Sequence, residues 1–237
     1  MNKLLLAALI SGAMAVPAFA ADYTIMAPAA PGGGWDQTAR SMQEAMQAEG
    51  ISGNVQVTNV PGAGGTIGLA QFVNQSTGNP GALIVGGYVM VGAVLTNASP
   101  VSLANVTPIA RLTGEADVIV VPAASELKTL DDLIAKLKAD PGSVSWAGGS
   151  AGGVDHIAAG LFAKTVGVDP TAVNYIAFSG GGEALAAVLG GQVTVGISGL
   201  GEFAAQIESG DLRALASTGA ARLPGSEIPT LTEAGVA

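Results

Sequence analysis

Short apolar runs alternate with helical patterns along almost the whole chain, and this alternation constrains the fold more than any other feature. The runs lie at 23–28, 55–60, 82–86, 107–112, 117–122, 143–147, 174–178, 193–198 and 213–217. Between most of them apolar residues recur at helical spacing, at 35–48, 65–75, 88–95, 129–139, 153–166, 182–190 and 201–209. Strands followed by helices imply βα units, hence an α/β chain of mostly parallel sheets flanked by helices. The helix at 129–139 carries its own punctuation. Thr129 can cap it, Asp131 and Asp132 enter its first turn, Lys136 and Lys138 stand near its end, and Asp140-Pro141-Gly142 stops it. One seam interrupts the pattern. Runs 107–112 and 117–122 follow each other without a helix, which marks a crossing from one α/β lobe to another.

Four of the strand-to-helix joins are rich in glycine. They read Pro31-Gly32-Gly33-Gly34-Trp35-Asp36, Pro61-Gly62-Ala63-Gly64-Gly65, Gly148-Gly149-Ser150-Ala151-Gly152-Gly153 and Ser179-Gly180-Gly181-Gly182. All sit at the carboxyl end of a strand, where open α/β sheets bind ligands. The first four N–H groups of a helix lack partners within it, and the helix dipole makes that end attractive to anions. Glycine lets a ligand reach the backbone closely. Several such loops converging would form a socket for a carboxylate or phosphate, and none of the four contains Lys or Arg. A single glycine-rich join is more often a packing joint; four of them favour the socket.

Named motifs narrow the chemistry. The spacing Gly-x-Gly-x-x-Gly fails at 62–67, where residue 67 is Ile, and no Gly-x-x-x-x-Gly-Lys-Ser/Thr occurs. Gly148-Gly149-Ser150-Ala151-Gly152 matches the turn of a serine hydrolase nucleophile. The sole histidine, His156, follows Ser150 by six residues on the next helix, a poor position for a general base with a third group behind it. One histidine and no cysteine also disfavour a zinc site. Asp36, Asp155 and His156 open their helices, where capping is the plain alternative to ligand contact. Trp35 is a pocket wall or core; Trp146 reads as core.

The amino terminus reads as an export signal over 1–20. Lys3 precedes a largely apolar run from Leu4 to Val16, and Ala18-Phe19-Ala20 forms a small-residue cleavage site. The run is shorter than the roughly 20 residues a membrane span needs. The remaining chain of about 217 residues can bury a core without disulfides. It carries eight Lys and Arg against eighteen Asp and Glu, so no general field draws it to nucleic acid or anionic lipid. Residues 51–110 contain no Asp, Glu, Lys or Arg, and 82–95 reads as a buried strand and helix rather than a membrane segment.

Taken in order, the signal, PGGGWDQTAR, NVPGAGGTIG, GGSAGGVDH, FSGGGEAL and PTLTEAG resemble the substrate-binding proteins of tripartite tricarboxylate transporters, the TctC or Bug family. The resemblance implies a two-lobed periplasmic-binding-protein fold of type II character with a ligand cleft between lobes. Lobe 1 would hold 21–112, with 219–237 returning to it, and lobe 2 would hold 113–218. A monomer in the periplasm would capture a small organic carboxylate, a di- or tricarboxylate such as citrate, for the membrane permease subunits, without cofactor, metal or catalysis. The ligand residues would be Pro31, Gly33, Gly34, Trp35, Asp36, Ser150, Gly152, Gly153, Asp155, His156, Ser179, Gly180 and Gly181. The alternatives are an exported esterase using Ser150 and a sensor-interaction protein on the same fold. Family members continue well beyond the segment matching PTLTEAG. The chain is therefore expected to be C-terminally incomplete, with apolar surface left uncovered on its first lobe.

Overall fold

A computed structural model describes residues 22–236; the export signal expected at 1–20 lies outside the described residues. Two sheets form, each from a continuous part of the chain. The first has the order β2-β1-β3, from Val55–Asn59, Tyr23–Ala27 and Ala82–Ile84, all parallel. Helix α1 (Gly34–Ala48) follows β1, α2 (Thr66–Ser76) follows β2 and α3 (Tyr88–Thr96) follows β3. Ile25, Ala27, Ala39 and Val55 form a small buried core, with Met42 and Met46 of α1 packed on it.

The second sheet has the order β6-β5-β7-β4-β8. Its strands are β4 (Asp117–Pro122), β5 (Ser145–Gly148), β6 (Asn174–Ala177), β7 (Val195–Gly199) and β8 (Leu212–Ser217). Strands β5, β6 and β7 are parallel, whereas β4 runs antiparallel to both β7 and β8. This is what a strand entering from the other lobe does. The run in β4 is apolar on both faces because both are covered. Ile119 and Val121 join a core with Leu133 and Leu137 of α4 (Leu130–Ala139) and Phe162 of α5 (Val154–Thr165). Val118 and Val120 join the opposite core, with Val188 of α6 (Gly181–Leu189) and Phe203 of α7 (Leu200–Glu208). Each such fully buried side chain contributes roughly 1.5–3 kcal/mol relative to exposure. Trp146 lies in the first of these cores, tilted against Phe162.

Two expectations are corrected here. Residues 107–112 are not a strand but an irregular connector, with Ile109 79% exposed. The segment after β8 does not return to the first lobe. Leu223 and Ile228 pack against one core of the second lobe, and Leu231, Ala234 and Val236 against the other. The Leu231 N–H donates to the Ser217 carbonyl at 2.9 Å, tying the segment to β8. Its apolar residues found cover on the nearest open edge.

Candidate functional site

The glycine joins lie where the lobes meet. Ala30 donates its N–H to the Ser179 carbonyl across the interface at 3.2 Å. Backbone faces backbone there: a Cβ on Gly33 would stand 3.5 Å from Gly180 Cα, and one on Gly182 would stand 3.0 Å from the Pro31 carbonyl oxygen. A second contact joins 150–153 to the first lobe, where a Cβ on Gly153 would meet Val89 Cγ1 of α3 at 3.2 Å. The structure therefore brings Pro31, Gly33 and Gly34 to Gly180 and Gly181, and sets Ser150, Gly152 and Gly153 against α3. Trp35 turns toward its own lobe, with its ring against Gly65 and Gly87.

Many of the loop donors already have carboxyl partners from the protein itself. Asp36 Oδ2 accepts the Gly32 N–H and Arg40 Nε–H at 2.9 Å each, and its Oδ1 accepts from Asn59. Burial pushes Asp36 up, but these bonds outweigh it and hold the carboxyl below its ordinary range. Asp155 accepts the Gly149 N–H at 2.7 Å, and Glu183 accepts the Ser179 N–H at 2.9 Å. His156 Nδ1 accepts the Gly152 N–H at 3.0 Å, while its ring lies on Tyr175 with centroids 4.3 Å apart. The helix openers Asp36, Asp155 and His156 thus fix the loops ahead of their helices, while the N-caps themselves, Gly33 and Gly153, supply no side-chain cap.

Sequence reasoning passed over Glu202, Asp117 and Glu115 beneath these loops. Glu202, near the start of α7, accepts the Gly34 N–H at 2.6 Å and the Gly181 N–H at 3.2 Å. Burial pushes its carboxyl up, and so does the charge of Asp155. Asp117 is pushed up to about 7 by burial and by Asp155, Glu115 and Glu202. Glu115 and Asp155 are raised too, each chiefly by burial. Tyr175, whose hydroxyl donates to the Gly149 carbonyl at 2.8 Å, closes the cluster. The only trace of Glu202 in the sequence is an acid in a first helical turn, which looks the same as an ordinary cap. A groove of about 400 Å³ lies between α1 on one side and the connector and the start of α7 on the other, with Gly34, Glu115 and Glu202 in its wall.

The pattern defining the TctC family, the tripartite tricarboxylate transporter family receptor, matches residues 38–237. The chain belongs to the TctC family. The TctC chain is 31% identical over 217 residues to BugT of Bordetella pertussis, covering 89% of this chain and 65% of that protein. It therefore spans less than two thirds of BugT. Its fold matches MatC of Rhodopseudomonas palustris, solved with bound malate, at a TM-score of 0.79 and 24% identity, over 91% of this chain and 73% of MatC. It also matches an R. palustris protein solved with adipate, at 0.79 and 23%, over 91% and 72% of the two chains. The fold is that of a periplasmic binding protein. TctC proteins are receptors, not enzymes. In the site His156 accepts the Gly152 N–H and stacks on Tyr175. Among the described residues no group of His, Asp and Glu is arranged to hold a metal ion, and no helix is long and apolar enough to cross a membrane.

Proposed function

We propose that this chain is an exported, periplasmic receptor that captures a small organic carboxylate between its lobes and presents it to the membrane subunits of a tripartite tricarboxylate transporter. The single observation that carries the reading is the meeting of three glycine-led helix starts at the lobe interface: α1 from one lobe, α5 and α6 from the other. Each brings the positive end of its dipole and first-turn N–H groups to one region; Glu202 holds those of Gly34 and Gly181, which leaves the other N–H groups of these turns for a ligand. Such an arrangement attracts an anion without Lys or Arg, and it recognises the carboxylate rather than the rest of the molecule. The candidate contacts are the first turns of α1, α5 and α6 with Ser150. Closing the lobes over the ligand assembles these groups, and opening releases it. The malate and adipate bound by the two R. palustris proteins suggest dicarboxylates as first probes.

Thermal unfolding in the presence of malate, adipate, citrate and acetate tests the reading. A di- or tricarboxylate at a hundred times its Kd should stabilise the protein by about 2.7 kcal/mol. The lack of any shift with all of these acids, in a chain shown to be folded, would refute capture of simple carboxylates. Ester turnover that disappears in Ser150→Ala would restore the hydrolase alternative.

A further inference from the structure

The groove beside α1 takes its walls from both lobes and from the connector that joins them. Met42 and Ala45 of α1 and Leu112 of the connector give it an apolar lining. Glu115, on the same connector, and Glu202 of α7 are its charged groups. Helix α1 and the start of α7 come close together along it: a Cβ on Gly201 would stand 3.5 Å from Gln37 Oε1. Leu112 is 58% exposed, so its side chain lies open to an occupant. The volume of about 400 Å³ falls in the range of roughly 300–1,000 Å³ typical of small-molecule sites.

No lysine or arginine lines this groove. Its two carboxyls differ in what they already hold. Glu202 is engaged, with Oε1 accepting the Gly34 and Gly181 N–H groups and Oε2 the Ser198 hydroxyl. Glu115 takes part in no hydrogen bond or ion pair among the described residues. Arg111, four residues before it, does not pair with it, and Arg40 of α1 is taken by Asp36. The charge that acts on both Glu115 and Glu202 is that of Asp155, a third acid. The groove therefore presents one free carboxylate, in a negative field, beside an apolar wall. A carboxylate accepts hydrogen bonds and donates none. A neutral apolar occupant would strip water from Glu115 and return no donor. A bare cation would leave Met42 and Leu112 uncovered. A cation that carries N–H donors on an apolar body meets both demands.

We propose that this groove is a second binding site, for a small organic ammonium ion with an apolar body. The ammonium donates to Glu115, and such charge-assisted hydrogen bonds are roughly twice as strong as neutral ones. Glu202 contributes through its charge, since its oxygens already hold other donors. The apolar body lies among Met42, Ala45 and Leu112, where the polarizable sulfur of Met42 favours an aromatic ring. Met42 belongs to the first lobe, Glu202 to the second and Leu112 to the connector, so an occupant bears on all three. The site selects the opposite charge from the one the glycine loops attract, and it does not depend on the receptor reading.

Three probes share a phenylethyl body and differ in charge: phenylethylammonium, phenylethanol and phenylpropionate. Calorimetry measures their affinity, and the 13C-methyl resonance of Met42, assigned by its loss in Met42→Leu, reports where they sit. The ammonium should bind about tenfold more tightly than the alcohol, a difference within what a hydrogen bond to a charged group contributes. It should shift the Met42 methyl, and added salt should weaken it. The carboxylate should leave that methyl unmoved. Glu115→Gln should lower the ammonium to the affinity of the alcohol. Ala45→Phe fills the groove while leaving Glu115 in place, and should abolish binding of both. The proposal is overturned by absent ammonium binding, by equal affinity for ammonium and alcohol, or by binding that leaves the Met42 methyl unmoved. Undiminished ammonium affinity in folded Glu115→Gln or Ala45→Phe overturns it as well. Malate, adipate and citrate, measured on the same samples, keep the two ideas apart. If none of these acids binds yet the ammonium shifts Met42, the groove stands and the receptor reading falls. If an acid binds and the ammonium does not, the groove falls.

Discussion

A Cβ on Gly153 would stand 2.8 Å from the Ser150 carbonyl oxygen and 3.2 Å from Val89 Cγ1 in the opposite lobe. The same atom on Gly33 would stand 3.5 Å from Gly180 Cα. At Gly153 a Cβ already crowds its own loop and Val89, whereas at Gly33 it makes ordinary contact, and at either a larger side chain would stand in a ligand's way to the backbone. Gly33→Val and Gly153→Val should therefore each abolish carboxylate-dependent stabilisation while circular dichroism shows the fold retained; unchanged calorimetric affinity in both folded variants would count against the site. Asp117 gives a different kind of expectation. Its carboxyl is pushed up to about 7 by burial first and then by Asp155, Glu115 and Glu202. The folded state thus binds a proton that the unfolded state has released, and the associated stability is full below the ordinary aspartate value and lost as pH rises toward 7. Asp117→Asn should flatten the urea stability profile between about pH 4 and pH 7 and raise stability at pH 8 by about 1–3 kcal/mol. A profile parallel to the wild type would place the pH dependence elsewhere.

Helix α4 shows how far local chemistry specifies an element. Thr129 accepts the Asp132 N–H at 3.1 Å, and Asp132 accepts the Thr129 N–H at 2.9 Å, a reciprocal capping box. Thr129→Ala should cost about 0.5–2 kcal/mol in denaturant unfolding. The elements with such local signals were legible in the sequence, as were the glycine joins and the apolar strand β4. What was illegible depends on partners far away in the chain. The run 107–112 is apolar enough for a strand, but no neighbouring strand pairs with it. Residues 223–236 carry an ordinary apolar pattern, and only the finished second sheet decides that they lie on it. Glu202 and Asp36 are both acids in first helical turns, yet one bridges two lobes and the other secures its own loop. Nothing local separates them, because the difference lies in what packs against α7.

Across the whole molecule the two lobes are unequally built. The second has two cores, one on each face of five strands, whereas the first has one small core and three strands. Tyr88, Leu95 and Ile109 stand 85%, 79% and 79% exposed on the first lobe and its connector. Exposed apolar side chains favour association where they adjoin. Hydrogen exchange should show the strands of the second lobe protected longest and those of the first exchanging sooner, with concentration-dependent association; equal protection in a strictly monomeric chain would contradict this. The placement of β4 has a further consequence. Val118 pairs with Ser198 and with Ser217, so the first strand of the second sheet lies between the two made last. A chain emerging from the ribosome cannot complete that sheet until Ser217 has been synthesised, and contacts so distant along the sequence form slowly. Delay of this kind would keep the polypeptide threadable, as the export proposed above requires.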